Sequence, residues 1–360
     1  MPSLQDLWQH VQRQLFPVLT EELGPLGEKD QQFVGVISLL PLGRFLAPYQ
    51  WSGNGRPPHE RVWLMHAFVA KVVYGFATTE ALIDSLRARP TLRRLCGWED
   101  LNALPERSTF SRAFSAFADR ELPQQIHAAL VEIHCRAKLV GHTSRDSTAI
   151  SVPERKATKP ESPAPTPRKV GRPKKGEVPL PHTKLELQVG RSLEENLADL
   201  PRLCDIGCKT DAKGYKTWWR GYKLHLDVID GDIPIGAVLT SASVHDSQVA
   251  IPLAQQSAQR VQSLYELMDS AYDARLIKDF CRGLGHVPII DPKEREGFVP
   301  LDPAERQRYK QRTASERVNA RLKEEFGGRT VHVRGAAKVM CHLMFGVLVI
   351  TALGIWARLC

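Results

Sequence analysis

Residues 304–326 read AERQRYKQRTASERVNARLKEEF, and the pattern predicts one long helix from Ala304 to Phe326. Tyr309, Arg312, Glu316 and Lys323 stand on it at offsets of 0, 3, 7 and 14. At roughly 100° per residue these four fall within a stripe about 60° wide. Val318, Leu322 and Phe326 point more than about 60° from the centre of that stripe, toward a core. One edge of the helix thus carries a carboxylate between two cations and a phenol. Taken alone, a solvated face laced with ion pairs would look the same.

Upstream, the chain alternates between the periods of strands and helices. Val287 to Ile290 and Leu264 to Met268 read as strands, with a helix from Asp273 to Arg282 between them, ended by Gly283 and Gly285. Ser247 to Arg260 reads as a further helix, and Ile233 to Leu239, Tyr222 to Ile229 and Leu139 to Asp146 as further strands. A hairpin of strands followed by strand–helix units predicts an α/β domain. Asp246 and Asp273 precede helices and are expected to be N-caps. Asp227 and Asp230 bracket a turn at Gly231, which accounts for at least one of them. Lys223 is a candidate phosphate contact. Trp218 and Trp219 either pack beside their strand or stack on an unpaired base.

Residues before Leu139 carry helical spacing throughout, beginning with an N-terminal arm over residues 1 to about 50. Val62, Leu64, Met65, Phe68, Val69, Val72 and Val73 form one apolar face. Thr79 is the expected cap of a helix that Pro90 stops, and a short basic helix follows at Thr91 to Leu95. Ser108 is the expected cap of the next helix, which has Phe110, Phe114 and Phe117 on one side. Its first turn offers Arg107, Thr109 and Arg112. That is what a helix-turn-helix reader of DNA would present, and equally what the solvated face of a plain bundle would.

Between the two regions lies a stretch that cannot bury a core. Glu154 to Gly176 holds eight Lys or Arg against two Glu, with five prolines, so a surplus of six of the chain's net +9 sits there. Within it, Arg168, Lys169, Arg172, Lys174 and Lys175 surround a Gly-Arg-Pro core that resembles an AT-hook. Minor-groove insertion or plain phosphate attraction would both use those cations. A pI near 9.2 agrees with a polyanionic partner. The seven cysteines are scattered and odd in number, which suits a reducing compartment. Cys204 and Cys208 lack a second pair at zinc spacing and read as ordinary thiols. Met1 to Gln14 is polar and amphipathic, unlike a secretory leader. Val339 to Ala357 is about long enough to cross a bilayer, but a helix buried against a sheet explains it as well.

The spacing Tyr-(2)-Arg-(3)-Glu-(6)-Lys resembles the signature of a large group of DDE transposases of bacterial insertion sequences. Arg145-Asp146-Ser147-Thr148 is similar to the first catalytic block of that group, and Leu267 to Asp273 to the second. Gly221 to Leu226 and Val244 to Ser247 resemble the strand and turn between them, so matching blocks span roughly residues 141 to 346. The resemblance implies an α/β, ribonuclease H-like catalytic domain (139–151 and 186–338) behind an α-helical N-terminal DNA-binding region (1–138). A basic insert (152–185) would interrupt the catalytic domain, and an apolar C-terminal helix (339–360) would pack on it. Asp146, Asp269 and Glu316 would be both the catalytic residues and the ligands of Mg²⁺, with Mn²⁺ able to substitute. Tyr309, Arg312, Lys323, Lys223, Arg107, Thr109, Arg112 and the five cations of the insert would contact DNA. The partners implied are double-stranded element ends and target, with a homodimer in the DNA complex, in the cytoplasm and not at a membrane. Some relatives carry a large β insertion between the second Asp and the Glu; here only 47 residues separate Asp269 from Glu316. Two other readings remain: a nuclease without strand transfer, and a DNA-binding derivative that has lost catalysis.

Overall fold

The computed structural model describes residues 25–46, 59–136, 138–158, 183–210, 213–292 and 299–359. The first part is helical: α1 (Glu28–Leu39), α2 (Gly43–Leu46), α3 (Arg61–Val73), α4 (Thr79–Ala88), α5 (Pro90–Cys96), α6 (Arg107–Asp119) and α7 (Leu122–Cys135). Thr78, not Thr79, caps α4, its hydroxyl accepting from the Ala81 amide at 3.0 Å. Pro90 opens α5, where its missing N–H costs nothing. Gly97 ends it with φ 117°, against a Trp63 ring that a Cβ would meet at 2.3 Å. Helix α6 starts two residues early, with Glu106 at the N-cap and no side-chain cap bond, so Ser108 lies inside the first turn. Its phenylalanines point inward as expected. Phe68 lies 5.3–6.1 Å from the rings of Phe110, Phe114 and Phe117.

The second part is a mixed six-stranded sheet of β1 (Leu139–Ser151), β2 (Asp205–Thr210), β3 (Lys216–Ile229), β4 (Ile233–Ser241), β5 (Gln262–Met268) and β6 (Val287–Ile290). β3 is antiparallel to β1, β2 and β4, whereas β1, β5 and β6 run parallel. β1 extends five residues past Asp146 because Ser147 to Ser151 pair with His225 to Gly221. β3 begins six residues before Tyr222, where Lys216 to Gly221 pair with β2. The turn between β3 and β4 is made by Gly231 and Asp232, both at positive φ. Asp230 reaches back to β1, accepting from the His142 amide at 2.9 Å.

Two short helices and β2 have no counterpart in the expected element list. α8 (Lys184–Val189) and α9 (Leu193–Ala198) open on reciprocal capping boxes, Thr183 with Glu186 and Ser192 with Glu195. Lys184 and Leu185, with Thr183 as the N-cap, therefore belong to a folded helix and not to the basic insert. α10 (Ser247–Ala258) and α11 (Arg275–Gly283) flank β5, and α12 (Pro303–Tyr309), α13 (Thr313–Glu324) and α14 (Ala336–Leu359) follow β6.

The long helix expected over Ala304 to Phe326 is broken. A 3-10 turn at Lys310–Arg312 separates α12 from α13. Thr313 Oγ1 donates to the Lys310 carbonyl at 3.0 Å, and Ser315 and Ser144 hydroxyls donate to the Arg312 carbonyl at 2.9 and 2.7 Å. Hydroxyls that claim these acceptors compete with the helical ladder.

Helix α14 is apolar on every side because it is surrounded. Its mean hydropathy reaches 2.1 and it is long enough to cross a membrane, yet 78% of that window is buried inside the fold. It does not simply lie on the sheet region. It packs against α7, α1, α6 and α3 on one side and against β4 and α13 on the other. His127 of α7 reaches the Pro234 carbonyl at 3.0 Å and Thr351 at 3.2 Å. One continuous core thus includes Phe33, Phe68 and Phe110 together with Leu226, Ile235 and Val347.

Candidate active site

The parallel pairing of β1 with β5 sets the geometry. Ser144 lies opposite Leu267, so Asp146 and Asp269, each two residues further along, leave neighbouring strands at the same level. Adjacent strands are about 4.8 Å apart, which brings the two carboxylates together although 123 residues separate them in sequence. Asp269 ends β5 and caps the turn that follows, its Oδ1 accepting from the Ala271 amide at 2.9 Å. Burial raises the Asp146 carboxyl to about 6, with the Asp269 charge adding to the shift. Burial likewise raises Asp269, and Asp246 adds to it. Two half-buried acids side by side repel, and a bound cation would relieve both.

Helix α13 crosses this edge of β1. Asn319 donates to Asp146 Oδ2 at 3.1 Å, and its own buried Oδ1 has no partner. Arg312 interacts electrostatically with Asp146 and Asp269 while hydrogen-bonding Glu316, so it sits among all three acids. Burial works against its charge, and Tyr309, Glu316 and the two aspartates more than offset it. The Tyr309 ring lies 5.7 Å from the Arg312 guanidinium. Glu316, half exposed in the first turn of α13, is turned toward Arg312. Among the described residues, no three His, Cys, Asp or Glu side chains are grouped closely enough to hold one metal ion. Glu316 would have to leave Arg312 to join the aspartates.

Beneath the two aspartates lies a buried charge cluster. The Arg145 guanidinium, 1% exposed, forks onto Asp227 with two contacts of 2.8 Å and reaches Glu266 at 3.1 Å. Glu266 in turn meets His286 Nδ1 at 2.6 Å. This ties β1, β3 and β5 to the turn before β6, immediately below the strand positions that carry Asp146 and Asp269. Asp227 is thereby a core ion-pair partner, not a turn residue. Tyr272, 1% exposed, holds an unpartnered hydroxyl within electrostatic reach of Asp246, Asp146 and Asp269.

Several sequence expectations need correcting. Asp246 stands at the N-cap of α10 but makes no cap bond. Its carboxylate instead pairs with Lys223 at 2.8 Å and bonds Ser147. Lys223 also donates to the Val244 carbonyl at 2.8 Å, so two of its three N–H donors are engaged within the fold. Asp273 pairs with Lys278 at 2.7 Å, while Ala274 is the N-cap of α11. A polar side chain facing a packed neighbour takes that partner in preference to its local backbone, and sequence spacing does not show the neighbour.

Lys323 lies further along α13 and interacts with Asp146, Lys209 and Arg329. Lys209 and Arg329 were not singled out from sequence; neither sits in a motif. Trp219 lies against Gly207 and donates to the Tyr222 carbonyl at 3.0 Å, as the packing alternative expects, but Trp218 is 63% exposed. On α6, Arg107 pairs with Glu80 and Arg112 donates to Thr109 at 3.4 Å, all on the outer surface. Cys204 and Cys208 are free thiols. Arg168, Lys169, Arg172, Lys174 and Lys175 lie outside the described residues.

Two families match this chain. One, described as Transposase DDE domain, matches residues 145–352, and the other, described as Transposase domain (DUF772), matches residues 25–116. No curated protein and no solved structure matches it.

Proposed function

The chain belongs to the DDE transposase family, and from that premise we propose that it binds the terminal inverted repeats of an insertion sequence, cleaves at the element ends and joins them to target DNA. The observation that carries the reading is the level placement of Asp146 and Asp269 on adjacent parallel strands, with Arg312 and Glu316 crossing the same edge. A ribonuclease H-like catalytic domain is supported by the sheet, in which β4, β3 and β1 are antiparallel neighbours and β5 and β6 continue in parallel. Membership of the group with the Tyr-(2)-Arg-(3)-Glu-(6)-Lys spacing is supported by those four residues at 309, 312, 316 and 323.

In this reading Asp146, Asp269 and Glu316 would hold divalent metal, Mg²⁺ by preference, because a hard cation takes carboxylate oxygens. The residues present fit that demand. Two acids are driven upward in pKa by burial and by their neighbours, and the buried hydroxyl of Tyr272 beside them lacks a partner. Bound there, the ions would activate the attacking hydroxyl and stabilise the departing oxygen of an in-line displacement. The chain's own residues do the rest. Asn319 fixes the Asp146 carboxylate by its 3.1 Å hydrogen bond. Arg312, released by Glu316, and Lys323 hold phosphates flanking the cut, and Tyr309 orients Arg312. The helical region with Arg107, Thr109 and Arg112 contacts the element ends, and the basic insert adds non-specific attraction. A homodimer on DNA and a cytoplasmic location belong to the same reading.

The test is plasmid and end-substrate cleavage by Asp146→Asn, Asp269→Asn and Glu316→Gln. Each should abolish Mg²⁺-dependent nicking while binding to DNA ends stays nearly intact. Retained nicking in any of the three would overturn the assignment of that residue.

A further inference from the structure

Away from the three acids, the helical region and the chain that leaves α13 enclose a pocket of about 400 Å³. That volume falls within the ~300–1,000 Å³ of single-ligand clefts. Its walls come from α3, the start of α4, α6, residues 330–333 and α14, and none of the acids assigned to cutting lines it. Phe68, Phe114 and Phe345 give it an aromatic floor, their ring centroids 5.3–6.4 Å apart.

Lys71 lines the same pocket. Burial pushes its amine down to about 8, and no acid among the described residues acts on it to raise it again. An ammonium taken out of water without a counter-charge is costly, and an anion brought beside it relieves that cost. The rest of the lining does not supply one. Glu80, the one acid among the described lining residues, pairs with Arg107. His342 donates to the Gly327 carbonyl at 2.9 Å; burial and the Lys71 charge push it down to about 4, so it is neutral at pH 7. Lys338, exposed in the first turn of α14, adds a second cation.

Cations above aromatic rings define the occupant. A duplex backbone brings phosphates but no apolar face, so it would leave the rings uncovered. A small organic anion brings a flat body for the rings and a charged head for the amines. We propose that this pocket binds such an anion, an aromatic carboxylate or an organic phosphate, with its head on Lys71 and Lys338 and its body against Phe68, Phe114 and Phe345. The proposal stands apart from the cutting chemistry, since it shares no residue with the three acids.

The probe is 2-naphthoate, titrated calorimetrically into the full chain beside its uncharged amide, 2-naphthamide, and inorganic phosphate. 2-Naphthoate should bind saturably and about tenfold tighter than either control, because neither control meets both the amines and the rings. Lys71→Met keeps the length of the side chain and removes its charge, so it should weaken 2-naphthoate about tenfold and leave 2-naphthamide unchanged. Lys71→Arg, which keeps the charge, should retain most of the affinity. Ser111→Trp, on the exposed side of α6, should block both naphthyl ligands by filling the pocket, and an unchanged circular dichroism melt verifies each fold. No saturable binding of 2-naphthoate, equal affinity for the amide, or full affinity in Lys71→Met would overturn the proposal. So would a loss of duplex DNA binding in Lys71→Met with 2-naphthoate unaffected, which would give the lysine to a backbone phosphate.

Discussion

Neutralising Asp146 should stabilise the metal-free protein while destroying its activity. Burial and the neighbouring Asp269 raise the Asp146 carboxyl from an ordinary 3.8 to about 6. At about 1.4 kcal/mol per unit, holding its charge in the fold costs about 3 kcal/mol above the unfolded chain. The sign follows from linkage. Below pH 3.8 the group is neutral in both states, so its contribution is fully present; as pH rises toward 6 the unfolded chain ionises first and that stability is lost. Asp146→Asn removes the titration and keeps an oxygen for the Asn319 hydrogen bond. Urea unfolding in EDTA should therefore find the variant about 2–3 kcal/mol more stable than the parent at pH 8, with the difference shrinking to near zero at pH 4. Saturating Mg²⁺ should narrow the gap by stabilising the parent, about 2.7 kcal/mol at a hundredfold excess over Kd. A variant less stable than the parent at pH 8 in EDTA would refute the argument. So would a difference that is the same at pH 4 and pH 8.

Three further outcomes follow from named contacts. Arg145→Leu strands Asp227 and Glu266 as unpaired buried charges and should cost about 3–5 kcal/mol in urea unfolding. A loss under 1 kcal/mol would mean the cluster is not the clamp between β1, β3 and β5. Asn319→Ala should lower the cleavage rate about tenfold with DNA binding unchanged, since it loosens one carboxylate without removing it; an unchanged rate would mean that Asp146 is positioned by something else. Deleting residues 168–175 removes five basic charges, and the slope of log affinity against log salt should become shallower by several units, at about 0.9 per lost phosphate contact. Superimposable salt titrations of the deletion and the parent would show that the segment does not touch DNA.

Much of this architecture is local and was legible in the order of residues. The strand and helix periods between Leu139 and Ile290 follow from alternation within windows of a few residues, which no distant partner has to supply. Asp146 and Asp269 could be picked out only through the resemblance of their blocks to the two catalytic blocks of DDE transposases, since each taken singly could be a cap or a surface acid. The stripe of Tyr309, Arg312, Glu316 and Lys323 is a matter of spacing, although the helix carrying it breaks at Lys310–Arg312. That break was decided elsewhere: Ser144, 168 residues away in sequence, takes the Arg312 carbonyl. The same holds for Lys223, which looked free until Asp246 closed on it, and for Asn319, Lys209 and Arg329, which belong to no motif. It holds also for α14, whose composition suits a membrane or a core equally and whose burial between two layers only the closed fold could settle. Periodicity is written within one turn or one pleat of the chain. Ion pairs, hydroxyl contacts and pockets arise where segments from tens to more than a hundred residues apart meet, so the partners of a charge are chosen by the sheet and the helices packed on it.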